Sequence, residues 1–156
     1  MKLELISFKL CPFAQRAIIA LNSQNHDFEV SYINPMDPPD WFKAISPTGQ
    51  VPLLKVDDQV VFESSVITEF INDISTTDMH PTEVVQKANN RSWIAFSGDM
   101  LGDMFGIVTG DEEKFNTAKK ALFGKLAKIE SVKDSQTFFN GDEFNMIDAA
   151  FAPIFM

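Results

Sequence analysis

One cysteine, Cys11, opens the stretch Cys11-Pro12-Phe13-Ala14, at the junction between an alternating segment and an amphipathic one. A thiol at a helix start faces backbone N–H groups that have no partner in the helix, and the positive end of the helix dipole. Both favour the thiolate. A free thiol titrates near about 8.5, and at helix N-termini the value falls to roughly 3.5–7.5. The placement therefore predicts a Cys11 that is ionised at neutrality and nucleophilic. The competing reading is a small buried hydrophobe, the ordinary fate of a lone cysteine. Pro12, suited to a first helical turn where its missing N–H costs nothing, favours the reactive reading. The fourth position of the motif is Ala14, and the 156 residues contain no second cysteine. A dithiol mechanism is thereby excluded, and an adduct on Cys11 must be resolved by an external thiol. A single cysteine also rules out a disulfide framework or a Cys-rich zinc site. His26 and His80 are too few and too scattered for a metal site or a base, and both are expected to be exposed loop residues.

The surrounding segments must position that sulfur. Residues 2–8 alternate polar and apolar as a strand does, and residues 11–24 place Ala14, Ala17, Ile18 and Leu21 on one helical face. Phe28, Val30 and Tyr32 share one side of a second strand. A Pro-rich loop runs from Asn34 to Asp40 ahead of Trp41-Phe42, with partial helix. Ser46-Pro47-Thr48-Gly49 has tight-turn chemistry. Residues 51–56 and 59–62, split by Asp57-Asp58, read as an antiparallel hairpin. Ser64 or Ser65 is then expected to cap a helix carrying Ile67, Phe70, Ile71 and Ile74. Beyond Ser75 the composition changes. Thr76–Pro81 is a linker without periodicity, and only helical spacing follows, over 83–108 and 112–131. Asp111-Glu112-Glu113 reads as the acidic first turn of the second of these. Gly98, Gly102 and Gly106 permit close helix packing, and Asp99 and Asp103 between them argue against a membrane dimer motif. Asn145 and Asp148 have the spacing of a reciprocal N-terminal cap, and the helix it opens is expected to run about three turns to Met156. Its apolar face calls for further helices or a partner subunit to cover it.

The whole-chain arithmetic narrows the function classes. Hydrophobic residues make up 45%, with fifteen Phe and two Trp, which is enough for a folded core. A net charge of −9 argues against nucleic acid and anionic membranes as partners. No apolar run approaches the roughly 20 residues of a membrane span, and the N-terminus lacks the pattern of a secretory signal. The expectation is a cytoplasmic protein, with the Asn90-Arg91-Ser92 sequon incidental.

Cys11-Pro12-Phe13-Ala14-Gln15-Arg16, Trp41-Phe42, Pro47-x-Gly49-x-Val51-Pro52, Glu63-Ser64-x-x-Ile67 and Asn145-x-x-Asp148 together resemble the cytosolic glutathione S-transferases. The similarity is to the cysteine-type, omega-like class or a bacterial relative, in register across essentially the whole chain. The resemblance implies an α/β thioredoxin-like domain over 1–76 (β-α-β-α-β-β-α, mixed sheet), a linker over 77–84 and an all-helical domain over 85–156. That helical domain is shorter than the family's. It implies a glutathione-dependent thiol transferase, or dehydroascorbate reductase, in which Cys11 forms a mixed disulfide with glutathione. Phe13, Val51, Pro52, Glu63 and Ser64 would bind the tripeptide. A cis Val51–Pro52 bond would expose the Val51 backbone to its cysteinyl part. Ser64 would meet the γ-glutamyl carboxylate at a helix N-terminus. Asn145 and Asp148 would be structural. Pro38 stands where omega-type chains carry a lysine for the glycyl carboxylate. The implied partners are glutathione, a small electrophile or disulfide, and a second copy in a homodimer, with no metal. Two other readings share the scaffold: a non-catalytic binding protein similar to stringent starvation protein A, and a chloride-intracellular-channel-like protein.

Overall fold

The computed structural model describes residues 1–133 and 136–156. The chain divides into two compact units, Met1–Asp78 and Met79–Met156.

The first unit is built on strands β1 (Leu3–Ser7), β2 (Glu29–Tyr32), β3 (Leu53–Val56) and β4 (Gln59–Phe62). Their order is β2-β1-β3-β4. β1 and β2 are parallel, which requires a crossover, and helix α1 (Pro12–Ser23) supplies it. β3 pairs antiparallel with both β1 and β4, the latter across the Asp57-Asp58 turn. Asp57 adopts φ 52, and its carboxylate accepts the Lys2 N–H at 2.8 Å. Side chains alternate across the sheet. Ile6 and Leu53 pack on Phe42 of helix α2 (Asp40–Ile45), all three fully buried. Leu5 and Leu54 point to the other face. There Ala14, Ala17 and Leu21 of α1 meet Ile67 and Ile71 of helix α3 (Ser64–Ile74). Each large apolar side chain buried this way contributes roughly 1.5–3 kcal/mol.

The second unit is helical. Helix α4 (Val84–Thr109) and helix α5 (Glu112–Val132) pack together across a short turn at Gly110. Glu83 caps α4, its carboxylate accepting the Val85 and Gln86 N–H groups, and Asp111 caps α5 by accepting from Lys114 N at 2.9 Å. A Cβ on Gly106 would lie 3.2 Å from the Ala118 Cβ, so α5 approaches closely there, whereas a Cβ on Gly102 would meet nothing within 4 Å; the close approach is at Gly106 and does not extend to Gly102. Lys125 reaches Asp103 at 2.7 Å and ties the two helices.

The closing helix α6 spans Met146–Phe151, with a 3₁₀ turn at Ala152–Ile154. The expected three-turn helix is thus one α-helical segment of six residues. Pro153 cannot donate the backbone bond that would continue it. The reciprocal cap is present: Asp148 Oδ2 accepts Asn145 N–H at 2.8 Å, and the Asn145 side chain meets the Asp148 N–H in return. Asp148 Oδ1 also accepts Phe139 N–H at 2.8 Å, so one carboxylate fastens the preceding loop as well as the helix. His80 corrects the sequence expectation of an exposed histidine. It is 4% exposed, and its Nδ1 accepts a hydrogen bond from the side-chain amide of buried Asn90 at 3.2 Å, which satisfies the ring away from water. His26 is half-buried, bonded through Nε2 to Ser75 Oγ at 2.8 Å. Asn90 is 3% exposed and cannot accept a glycan in this fold.

Candidate functional site

Strand register decides where the sequence-predicted residues meet. Ser7 aligns with Tyr32, Ile6 with Leu53, and Leu53 with Phe62. The ends of β1, β2 and β4 and the start of β3 therefore lie along one edge of the sheet. Cys11 follows β1, Val51 and Pro52 precede β3, and Glu63 and Ser64 follow β4. Segments from three distant stretches of sequence are thereby gathered at one end of the first unit. Phe13 joins them from the first turn of α1. Asn145 and Asp148 belong to the helical unit.

Cys11 is the N-cap of α1, with extended backbone. Its N–H donates to Phe8 O at 3.1 Å and its carbonyl accepts Gln15 N–H at 3.2 Å, which fixes the entry into the helix. The residue is 2% exposed. Burial pushes its thiol above the ordinary value, against the opposing pull of the Ala14 N–H, the Ser7 hydroxyl and the Phe13 N–H. This corrects the expectation of a thiol ionised at neutrality. The helix-start amides do face the sulfur, as the sequence implied, but desolvation of a charged atom outweighs them here.

Ser7 is a participant that sequence reasoning passed over. It is 1% exposed at the end of β1. Its hydroxyl donates to Phe8 O at 3.1 Å, so stabilising a thiolate requires its single proton to turn toward Cys11. The available signal was a lone hydroxyl in the otherwise apolar close of the β1 run.

Phe13 is half-buried, with the Arg16 guanidinium 5.7 Å from its ring centroid. Burial lowers Arg16 to about 10, so it stays cationic at neutral pH.

The Val51–Pro52 peptide bond is cis. Val51 is half-buried against the Ile6, Phe42 and Leu53 cluster, and Pro52 is buried. The capping expectation at α3 is corrected: the N-cap is Glu63, and Ser64 is the first helical residue. Glu63 has φ 69, in the left-handed region that non-glycine residues seldom occupy. Such a conformation costs roughly 1–3 kcal/mol, and that kind of strain concentrates at functional sites. It lies at the turn that takes the chain from β4 directly into α3, at the sheet edge that Cys11 also follows. Ser64 is 8% exposed, and its hydroxyl makes no hydrogen bond among the described residues. A buried hydroxyl at the positive end of a helix is suited to a carboxylate. Among the described residues no group of His, Cys, Asp and Glu is arranged to hold a metal. No helix among them is long and apolar enough to cross a membrane.

Residues 10–74 match the family model of the glutathione S-transferase N-terminal domain. The chain is 26% identical to the probable glutathione S-transferase DHAR2, chloroplastic, of Oryza sativa subsp. japonica, over 92% of this chain and 50% of that protein. It is 27% identical to glutathione S-transferase omega-1 of Sus scrofa, over 98% of this chain and 66% of the relative. The chain thus spans between half and two thirds of the length of these relatives. Among solved structures, glutathione transferase Omega 3C from Trametes versicolor superposes with a TM-score of 0.84 at 24% identity, over 98% of this chain and 71% of that one. A glutathione S-transferase from Methylobacillus flagellatus, solved with GSH bound, gives 0.89 at 16% identity, over 99% of this chain and 81% of that one. The fold is that of the glutathione S-transferases: a thioredoxin-like unit with a mixed four-stranded sheet, followed by a helical one.

Proposed function

We propose that this chain, whose residues 10–74 match the family model of the glutathione S-transferase N-terminal domain, is an omega-like, glutathione-dependent thiol transferase with Cys11 as its catalytic residue. The observation carrying this reading is the convergence of the Cys11 sulfur, the cis Val51–Pro52 segment and the α3 N-terminus at one sheet edge. Val51 offers a backbone edge to the cysteinyl part of glutathione. Glu63 and Ser64 take the γ-glutamyl end, with the carboxylate at the first turn of α3, and Phe13 walls the thiol.

In the reaction, the Cys11 thiolate attacks the glutathionyl sulfur of a glutathione-bearing disulfide. The other sulfur departs with the electron pair of the broken bond and takes up a proton. A second glutathione thiolate then attacks the Cys11–glutathione disulfide, which releases Cys11 and glutathione disulfide. Ala14 in place of a resolving cysteine makes this external thiol obligatory. The N–H groups of Ala14 and Phe13 and the Ser7 hydroxyl stabilise Cys11 as it leaves in the second step. A homodimer forms part of the proposal, consistent with exposed Phe105 and Val108 on α4; sedimentation should give twice the chain mass.

Incubation with glutathione disulfide is expected to add one glutathionyl group per chain, located on Cys11 by mass spectrometry and released by excess glutathione. Absence of that adduct on a folded protein refutes the proposal. Ser64→Ala should weaken glutathione binding about tenfold, as loss of one charge-assisted hydrogen bond does, with Cys11 still alkylated at the wild-type rate.

The 2% exposure of Cys11 favours one other reading, a binding protein on the same scaffold that uses no thiol. Glutathione binding undiminished in Cys11→Ser, with no adduct in the parent protein, would select it.

A further inference from the structure

The helical unit contains a cavity of about 580 Å³ between the start of α4 and the loop that precedes α6. It shares no residue with the thiol site. Its volume falls within the range of roughly 300–1,000 Å³ typical of small-molecule sites. Trp93 and Phe139 form its apolar wall, with ring centroids 5.8 Å apart. Asn89 and Asn140 add amides, and Asp142 and Glu143 add carboxylates. No lining side chain is cationic. Neither carboxylate has an ion-pair partner among the described residues.

This wall is held in place before anything binds. The Phe139 N–H is taken by Asp148 Oδ1 at 2.8 Å, and its ring stacks on Phe151 at 5.3 Å. Trp93 is braced edge-on by Phe96 at 5.4 Å. Asn140 donates to Asn90 Oδ1 at 2.8 Å, and buried Asn90 in turn bonds His80, so the far side of the cavity is anchored in the core of the unit. A fixed recess spares a ligand the cost of ordering its own site.

Two aromatic rings and two unpaired carboxylates lining one cavity, with no competing cation, match one ligand chemistry. A positive charge is attracted to the ring faces and to the carboxylates together, and an apolar body fills the space along Trp93. The net charge of −9 raises the local concentration of such ions further. We propose that this cavity binds an organic ammonium ion bearing an apolar group.

The test uses the full chain carrying Trp41→Phe, so that Trp93 is its sole tryptophan, with benzyltrimethylammonium as the probe and its uncharged carbon isostere as the comparison. The expected result is a saturable change in Trp93 emission with the cation and at least tenfold weaker binding of the isostere. Asp142→Asn with Glu143→Gln, both on an exposed loop, should weaken the cation at least tenfold and leave the isostere unchanged. Equal binding of the two probes overturns the proposal in favour of an apolar pocket. Equal binding by the double variant overturns it as well. A matching signal from sodium or magnesium at the same ionic strength reduces the site to a nonspecific acidic patch and overturns it too.

Discussion

Cys11→Ser is expected to lower glutathione-linked disulfide exchange by at least about a hundredfold, since a serine hydroxyl neither ionises near neutrality nor forms the mixed disulfide. The parent protein should show a distinctive pH profile alongside this loss. Burial holds the Cys11 thiol above its ordinary value, so the thiolate fraction is small at pH 7 and grows as pH rises. Iodoacetamide alkylation of the free protein should be slower at neutrality than that of an unstructured thiol, and should climb through the alkaline range with a midpoint above that of the unstructured thiol. A profile already flat at pH 7 would show that the helix-start amides outweigh burial after all. The same shift links to stability. A group whose proton is held more tightly in the folded state contributes stability below its unfolded pKa, and that contribution fades as pH rises through the folded value. Urea unfolding above pH 9 should therefore show an alkaline loss of stability in the parent that Cys11→Ser lacks. A raised thiol is compatible with exchange chemistry, because a more basic sulfur is intrinsically the stronger nucleophile once ionised.

Asp148→Ala carries the second large effect. Its carboxylate accepts two backbone N–H groups at once, from Asn145 at 2.8 Å and Phe139 at 2.8 Å. One bond starts α6; the other holds the loop that carries Phe139 to its stacking partner Phe151. A lost cap costs about 1 kcal/mol, and hydrogen bonds to a charged acceptor are worth roughly 1.5–3 kcal/mol each. The expected loss is therefore about 3 kcal/mol in urea unfolding, with Asp148→Asn in between because its amide oxygen still accepts. Asn145→Ala, which removes only the reciprocal arm, should cost about 1 kcal/mol. If Asp148→Ala proved no worse than Asn145→Ala, the bond to Phe139 would be shown to contribute nothing. The same substitution should also blunt the cation-dependent emission of Trp93, since the wall beside it loses its anchor.

The strands and helices were readable because each buries one face, and the repeat of that face is written along the chain. Period-two alternation marked β1, and apolar spacing marked α1, α3, α4 and α5. Local chemistry marked the special positions too. Pro12 signals a helix start, and the Asn145/Asp148 spacing is a cap whose two partners lie three residues apart. The single cysteine settled by counting that no internal dithiol exists. Quantities that depend on neighbours distant in sequence were not readable. The end of α6 is the exception, a local matter: Pro153 turns the chain into a 3₁₀ turn inside a segment whose apolar pattern runs on unbroken. Glu63, not a serine, stands at the α3 N-cap, with a positive φ that its residue type does not announce. His80 lies in the loop between α3 and α4 as expected, but it is buried and bonded to Asn90, ten positions on, which its own neighbours in sequence do not reveal.

The sequence alone determined which atom could be a nucleophile, since one sulfur at a helix start is a local fact. Tertiary structure decided how that atom behaves, because its ionisation depends on how much water remains around it. Packing removed that water from Cys11 and set the balance against the local amides. Strand register brought Val51 to the edge where Cys11 lies through β1–β3 pairs such as Ile6 with Leu53, far apart in sequence, and the β3–β4 hairpin then carried Ser64 to the same edge.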